Sequence, residues 1–309
     1  MGDAAAWADL LAAAEAVDAT GEHYDADDLL EELADPALAP SATPSRPSPA
    51  PRWWRTGWSA GWAWGAACTG CRPRAACIRP TGARASAGRC CSAPRTVPPS
   101  YTGGAIRACR VSSWFYLHDG NAGAAALVAA CGMRPVRYWY DMQRELAEPP
   151  PPAVLPDGLR LVGYQRSMDE AWRLARNDAF ADHWGSVDRD QASWQQWFTG
   201  SRAFRPSVSF ALVDGDEIAG FVLSYEFEAI NTAGGVREAW IGQVGTRRPW
   251  RGRGVASALL SRALNAYTDA GYQRAALSVD TGNPTGALGL YERCGFAVKQ
   301  HWTTFTRPL

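Results

Sequence analysis

The stretch Arg251-Gly252-Arg253-Gly254-Val255-Ala256 constrains the chain most. It follows an apolar, β-prone run, Ala239 to Thr246, and opens a segment in which Val255, Leu259, Ala263 and Ala266 recur at helical spacing, with Leu260, Leu264 and Tyr267 beside them. The pattern is strand, glycine-rich turn, helix. The first turn of a helix leaves backbone N–H groups without intrahelical partners and carries the positive end of the macrodipole. With no side chains at 252 and 254, a phosphate can approach those amides closely, and the flanking arginines add positive charge. A Walker loop would need Gly-Lys-Ser/Thr at its end, and a dinucleotide fingerprint spaces its glycines differently, so neither describes this turn.

Downstream, a strand over Ala275 to Asp280 leads to Asn283, then to a short helix over 284–293 carrying Ala287, Leu290 and Tyr291, then to Cys294-Gly295-Phe296. Arg251-x-x-Gly254-x-Ala256, followed by this Asn…Ala…Leu-Tyr-Glu…Gly-Phe succession, resembles the GNAT acetyltransferase superfamily. The resemblance implies an α/β acyl-CoA N-acyltransferase fold, a mixed sheet with flanking helices, and acetyl-CoA as co-substrate with no metal. It also assigns roles. Backbone amides of Val244, Gly245 and Thr246 would hold the pantetheine arm and polarise the thioester carbonyl. Arg251, Gly252, Arg253, Gly254, Val255 and Ala256 would bind the pyrophosphate, Asn283 would orient the cofactor or a water, and Tyr291 would protonate the leaving thiolate. For the general base the resemblance leaves Glu226, Glu228, Glu238 and Asp280, of which Glu238 and Glu226 are put first. His183-Trp184 would line the acceptor pocket or staple two helices together. Cys294 reads as a small buried hydrophobe.

With 309 residues and 47% hydrophobic content the chain can hold two packed units, and its formal net charge is zero. The N-terminus shows no basic region followed by an apolar run, and no apolar stretch is long enough to span a bilayer, so a cytoplasmic protein without a membrane partner is expected.

Residues 4 to 33 read as helical, with Trp7, Leu10, Leu11 and Ala14 on one face and a break near Thr20-Gly21. The character then changes. No Asp or Glu occurs between Asp35 and Asp119, five tryptophans fall between Trp53 and Trp64, and six cysteines lie between Cys68 and Cys109. Three readings compete. Thiolates at Cys68, Cys71, Cys77, Cys90 and Cys91 could bind metal, but Cys90-Cys91 does not supply the second spaced pair that a zinc site needs. Arginines interleaved with tryptophan could bind nucleic acid, the least favoured partner. The third reading is translation out of frame over about residues 45–112: codons compatible with Cys77 to Ser92, read two nucleotides later, permit Arg-Gly-Gln-Gly-Leu-Gly, a second phosphate-turn pattern. A disulfide framework is disfavoured in a cytoplasmic chain.

Ordinary composition resumes near Phe115. His118-Asp119-Gly120-Asn121, Val128 and Cys131-Gly132-Met133 parallel Gly282-Asn283, Tyr291 and Cys294-Gly295-Phe296, an internal repeat of 163 residues between the two Cys-Gly pairs. Residues 1–146 therefore read as a degenerate N-terminal half in which Val128 takes the place of Tyr291. Residues 147–156, with Pro149 to Pro152, read as a stiff linker, and residues 157–309 as the intact half. In that half we expect a strand over 159–164 and helices over 168–180 and 190–198, the second capped by Ser186 or Asp188. Strands over 207–213 and 217–225 follow, joined by Asp214-Gly215-Asp216, then a strand over 236–246, the turn and its helix, and closing strands near 297 and 303–306. The order resembles tandem GNAT enzymes. The expected activity is transfer of an acetyl group from acetyl-CoA to a primary amine of a small molecule or peptide. The alternatives are a non-catalytic acyl-CoA-binding module and, last, nucleic-acid binding through the arginine-rich segment.

Overall fold

The structure is a computed structural model that describes residues 2–34, 114–283 and 285–307. The cysteine- and tryptophan-rich segment, with its metal, nucleic-acid and out-of-frame readings, lies outside the described residues.

Among the described residues the strands form one eight-stranded sheet. In chain order they are β1 (Trp114–His118), β2 (Arg134–Glu145), β3 (Arg160–Gly163), β4 (Phe210–Asp214), β5 (Glu217–Tyr225), β6 (Glu238–Thr246), β7 (Arg274–Asp280) and β8 (Ala297–Thr306), and in space β1-β8-β2-β7-β6-β5-β4-β3. Only β6 and β7 pair in parallel. Their crossover is α7 (Val255–Asp269), whose Val255, Leu259, Leu260, Ala263, Leu264 and Tyr267 are buried, the face that the helical spacing predicts. Helix α8 (Ala287–Arg293) connects β7 to β8.

The sheet is covered on both faces. On one, α7 and α8 pack through Leu259, Leu260 and Tyr291 over Leu212, Val222, Leu277 and Val279. On the other, α4 (Asp169–Ala179) and α5 (Gln191–Trp194), which continues into a π-helical turn over Gln195–Thr199, bury Trp172, Trp194, Trp197 and Phe198 against Ala211, Val213, Phe221 and Leu223. Alternate residues of β4 and β5 thus serve opposite cores. A fully buried side chain of this size contributes about 1.5–3 kcal/mol.

Several expectations are corrected at element ends. Helix α5 is capped neither by Ser186 nor by Asp188: Asp190 is the cap, its carboxylate accepting the Ser193 amide at 2.8 Å. The two closing strands are one, Ala297–Thr306, and a short helix, α6 (Glu228–Gly234), fills the β5–β6 connection before Gly235 stops it at φ +63°. At the N-terminus, α1 (Gly2–Asp18) and α2 (Ala26–Leu33) are separate helices, and α2 begins with a capping box between Asp25 and Asp28. Arg202 bonds Asp25 through both guanidinium nitrogens, at 2.8 and 2.9 Å, which ties this pair of helices to the region after α5.

Strand β2 lies between β7 and β8, and β8 lies between β1 and β2. The ladder between β2 and β8 obeys the 163-residue repeat. Arg137 pairs with Thr304 and Asp141 with Gln300, Pro135 with Phe305 and Met142 with Val298, each couple being the repeat image of the other. The two register shifts skip Val136 and Lys299, which are also images. Helix α3 (Ala122–Ala130) ends at Cys131 as α8 ends at Cys294, and the glycines that follow, Gly132 and Gly295, have φ of +77° and +83°. Residues 114–145 therefore do not form a sheet of their own: they interleave with the last strands of the chain.

Candidate active site

The cleft originates where β6 and β7 part. Their parallel ladder runs from Glu238↔Arg274 to Trp240↔Ala276 and stops there; β6 continues to Thr246 on β5, while β7 continues to Asp280 on β2. A register shift places Gly242 opposite no residue of β5. The edge of β6 that carries Gln243, Val244, Gly245 and Thr246 therefore faces an opening instead of a neighbouring strand. Backbone amides on such an edge are available to an extended ligand. The wall behind it is tight: a Cβ on Gly245 would sit 2.6 Å from the Phe221 ring and 3.1 Å from the Ala179 Cβ, so glycine is needed for α4 to press this close.

At the end of β6 a 3₁₀ turn, Arg248–Trp250, leads into the glycine turn. Gly252 and Gly254 adopt φ of +75° and +82°, the left-handed region that L side chains avoid, and a Cβ on either would point into open space. Gly254 caps α7 without any side-chain cap bond. Among the described residues a Cβ at either glycine would meet no atom within 4 Å, so the amides of the first turn of this 15-residue helix can be approached closely, as a bound phosphate requires. Beside it lies a groove of about 440 Å³ between the segment Pro152 to Asp157 and Arg253, Gly254 and Ser257. Arg253 is exposed, with a guanidinium nitrogen 3.5 Å from the Asp157 carbonyl. Arg251 is used differently. It donates to the carbonyls of Thr246 at 3.1 Å and Ala179 at 3.0 Å and lies 3.5 Å from Asp182, so it locks the turn to β6 and α4. Arg248 also bonds Asp182.

Tyr291 sits on α8, buried, on the same face of the sheet as α7, with its ring edge-on to Phe296. Burial away from water, with a smaller effect of the Cys294 thiol, pushes its hydroxyl well above the ordinary tyrosine value, so the proton is retained at neutral pH. Asn283 shapes the β7–α8 loop: its side-chain oxygen accepts the Thr285 amide at 2.9 Å and hydroxyl at 2.7 Å. Cys294 is buried, and burial raises its thiol above the ordinary value, which leaves it a poor nucleophile.

The carboxylates expected to supply a base differ in their surroundings. Glu226 is clamped by Arg205 at 3.0 Å, by Arg237 at 2.8 Å and by the Tyr272 hydroxyl at 2.8 Å. Although burial opposes ionisation, these donors outweigh it and hold the carboxyl at about 2. A group so weakly basic takes no proton from an ammonium. Glu228 is on the surface and bonds Arg205. Glu238 is buried against Arg274 at 2.5 Å and Gln143 at 3.2 Å, and desolvation raises its carboxyl above the ordinary value despite the arginine. It stands on the paired part of β6, two residues before Trp240, where the parallel ladder stops, about 7 Å along the strand. Asp280 ends β7, almost fully buried; it accepts the Gly282 amide at 2.9 Å and faces the Arg137 guanidinium at 3.6 Å.

What gathers at the mouth of the cleft instead is aromatic. In the loop after α4, the Trp184 ring stacks on Trp114 at 4.8 Å and lies 6.3 Å from Trp139, under the Arg137 guanidinium at 5.3 Å. His183 lies between Phe180 and Trp139, at 5.5 and 6.2 Å between ring centres. Of this group the sequence singled out only His183 and Trp184; Trp114, Arg137 and Trp139 come from β1 and β2, and no local pattern joins them to a loop so distant in sequence.

Residues 168–296 match the acetyltransferase (GNAT) family model. These residues form a GNAT-type domain within the chain. A mycothiol acetyltransferase from Salinispora tropica is 32% identical over 192 residues, 59% of this chain and 59% of that protein. Another, from Thermobispora bispora, is 30% identical over 197 residues, 61% of this chain and 62% of that protein. The chain thus matches less than two thirds of the length of these relatives. Among solved structures, a GCN5-related N-acetyltransferase from Sphaerobacter thermophilus has a TM-score of 0.52 at 32% identity, covering 64% of this chain and 61% of that one. The parted strands, the glycine turn and Tyr291 all fall inside the GNAT domain, whereas Trp114, Arg137 and Trp139 lie before it. Among the described residues no helix is long and apolar enough to cross a membrane, and no group of three or more His, Cys, Asp or Glu side chains could hold a metal ion.

Proposed function

We propose that the protein transfers the acetyl group of acetyl-CoA to a primary amine of a small molecule or peptide. The observation that carries this reading is one strand serving two sites: β6 loses its parallel neighbour after Trp240 and then delivers the chain into a left-handed glycine turn at the N-terminus of α7. Together these suit an elongated ligand with an extended, amide-bonding arm and a pyrophosphate.

When bound, acetyl-CoA supplies an acyl group activated as a thioester. The residues divide the remaining work. Amides of Gly252 to Ala256 bind the pyrophosphate, with Arg253 as the exposed cation and Arg251 holding the turn in place. Of the amides expected along Val244, Gly245 and Thr246, those of Val244 and Thr246 lie on the open edge, where they bind the arm and donate toward charge that develops on the carbonyl oxygen, while that of Gly245 faces β5. Tyr291 holds a proton on its hydroxyl oxygen for the departing sulfur, and its buried surroundings keep that proton in place until it is needed. Residues of β1 and β2 contribute the far wall of the acceptor cleft, so the acceptor site draws on segments outside the GNAT domain. The curated relatives are named mycothiol acetyltransferases, which puts amines related to mycothiol first among acceptors to try.

The test is a product assay on the full chain with acetyl-CoA and a panel of primary amines, read by mass spectrometry, beside Tyr291→Phe. N-acetylated product with wild type, a large loss of turnover in the variant and unchanged acetyl-CoA affinity support the reading. Acetyl-CoA binding without product from any amine refutes it.

A further inference from the structure

We propose that Gln243 and Ser278 receive the acceptor amine, the oxygen of each accepting one of its two N–H bonds, and so make the site selective for primary over secondary amines. This rests on the N-acetyltransferase reading above and concerns the direction of the nucleophile, not the group that takes its proton.

The two side chains flank the point where the cleft opens. Trp240↔Ala276 is the last pair of the parallel ladder. On β7 the next residue on the face of Ala276 is Ser278. On β6 the register shift takes up Gly242, so the next residue on the face of Trp240 is Gln243. Both point to the side that α4 covers. Gln243 is the register partner of Leu223, which packs in the core beneath α4, whereas Leu277 and Val279, on either side of Ser278, pack in the opposite core. Tyr291 belongs to that opposite core, so an amine held by Gln243 and Ser278 and a sulfur protonated by Tyr291 meet the protein on opposite faces.

Each of the two carries an oxygen that is buried and, among the described residues, without a hydrogen-bond partner: Oε1 of Gln243 and Oγ of Ser278. The Tyr116 phenol bears on Ser278, but short of ordinary hydrogen-bond geometry. A buried oxygen without a donor costs stability, and two of them at the vertex of one opening point to donors brought by a ligand. Gln243 directly precedes Val244, whose amide lies on the open edge of β6, so the donor is received next to the place where the thioester carbonyl is polarised.

The chemistry that fits is a neutral primary amine, with two N–H bonds and one lone pair. Acceptor oxygens on the two arms of the cleft engage both N–H bonds and leave the lone pair as the free direction, toward the carbonyl carbon. Being uncharged, the amide and the hydroxyl do not favour the ammonium form as a carboxylate in their place would. A secondary amine has one N–H. It leaves one of the two oxygens buried and unpaired and sets an alkyl group against it, the situation in which a hydrogen-bonding site rejects an analogue.

The experiment is a competition. The full chain, as wild type, Gln243→Leu and Ser278→Ala, is given acetyl-CoA and an equal mixture of a primary amine that wild type acetylates and its N-methyl counterpart, and the two products are weighed by mass spectrometry. Both amines compete for the same enzyme, so the product ratio equals the ratio of their kcat/KM values and does not depend on how much of a variant is folded. Wild type should favour the primary amine. Each variant should lower the primary to N-methyl ratio by about 3- to 10-fold, the worth of one hydrogen bond, and should bind acetyl-CoA as wild type does. A ratio that stays at the wild-type value in either variant, even where total turnover falls, overturns the assignment of that residue and leaves the N-acetyltransferase reading intact. Acetyl-CoA binding with no amine acetylated by wild type overturns that reading and this one with it.

Discussion

Trp139 and Trp302 are register partners in the β2–β8 ladder, and each is the other's image under the 163-residue repeat. Their indole N–H groups bond image positions as well: Trp139 donates to the Thr304 hydroxyl at 2.9 Å and Trp302 to the Asp141 carboxylate at 2.8 Å. A pseudo-twofold relation thus passes between the two rings. Its consequence is that β7 and β8, the last two strands of the chain, are held together by a strand from the other side of the repeat.

A chain of residues 157–309 alone should therefore fail to fold cooperatively. It leaves the facing edges of β7 and β8 without the ladder that β2 supplies, and exposed sheet edges associate. Thermal unfolding followed by circular dichroism should show no sharp transition for this fragment, and co-expression with residues 114–146 should restore one. A fragment melting like the whole chain would count against the interleaved sheet.

Trp302→Ala should destabilise the chain by about 3–5 kcal/mol, the cost of emptying a buried aromatic site. Trp302 is 1% exposed, and its neighbours Tyr116, stacked at 5.0 Å, and Asp141 would lose their partner. Urea unfolding measures this directly.

Gly254→Ala should weaken acetyl-CoA binding more than it weakens the fold. The left-handed backbone at φ +82° costs a side-chain-bearing residue about 1–2 kcal/mol. Relief of that strain turns the amides of the first turn of α7. Calorimetric titration should show an affinity loss of about 5- to 30-fold for a loss of that size, whereas Gly245→Ala, which meets Phe221, should first lower the melting temperature.

Glu226 predicts a pH dependence of stability. Its carboxyl is held at about 2, below its ordinary 4.5, so its contribution is complete above 4.5 and lost as pH falls from there toward 2. Glu226→Gln should flatten that part of the acid-unfolding curve and lower stability at pH 7, because Arg205 and Arg237 lose their charge partner. Turnover per folded molecule should hold. A collapse of turnover with intact stability would return Glu226 to catalysis.

The glycine turn was legible in the sequence because each of its features is local. Glycines mark left-handed positions, apolar spacing marks the buried face of α7, and Asp-Gly marks the β4–β5 hairpin. The surroundings of the carboxylates were not legible, since the partners that hold Glu226, namely Arg205, Arg237 and Tyr272, lie at unrelated spacings and meet only across the β5–β6 end of the sheet. Nor did the repeat reveal interleaving: a strand that pairs with its own half or with the other half has the same alternation. The Asp190 cap could have been found, because its side chain reaches Ser193 three residues on, a spacing visible in the sequence. The gathering of Trp114, Trp139, Trp184 and His183 could not, because it depends on the placement of β2.

The most direct measurement is mass analysis of the amine after incubation of the full chain with acetyl-CoA and primary amines. The account predicts one acetyl group on nitrogen, formed in step with free CoA and lost in Tyr291→Phe. Tight acetyl-CoA binding with every amine recovered unchanged would contradict it and make the cleft a binding site without catalysis.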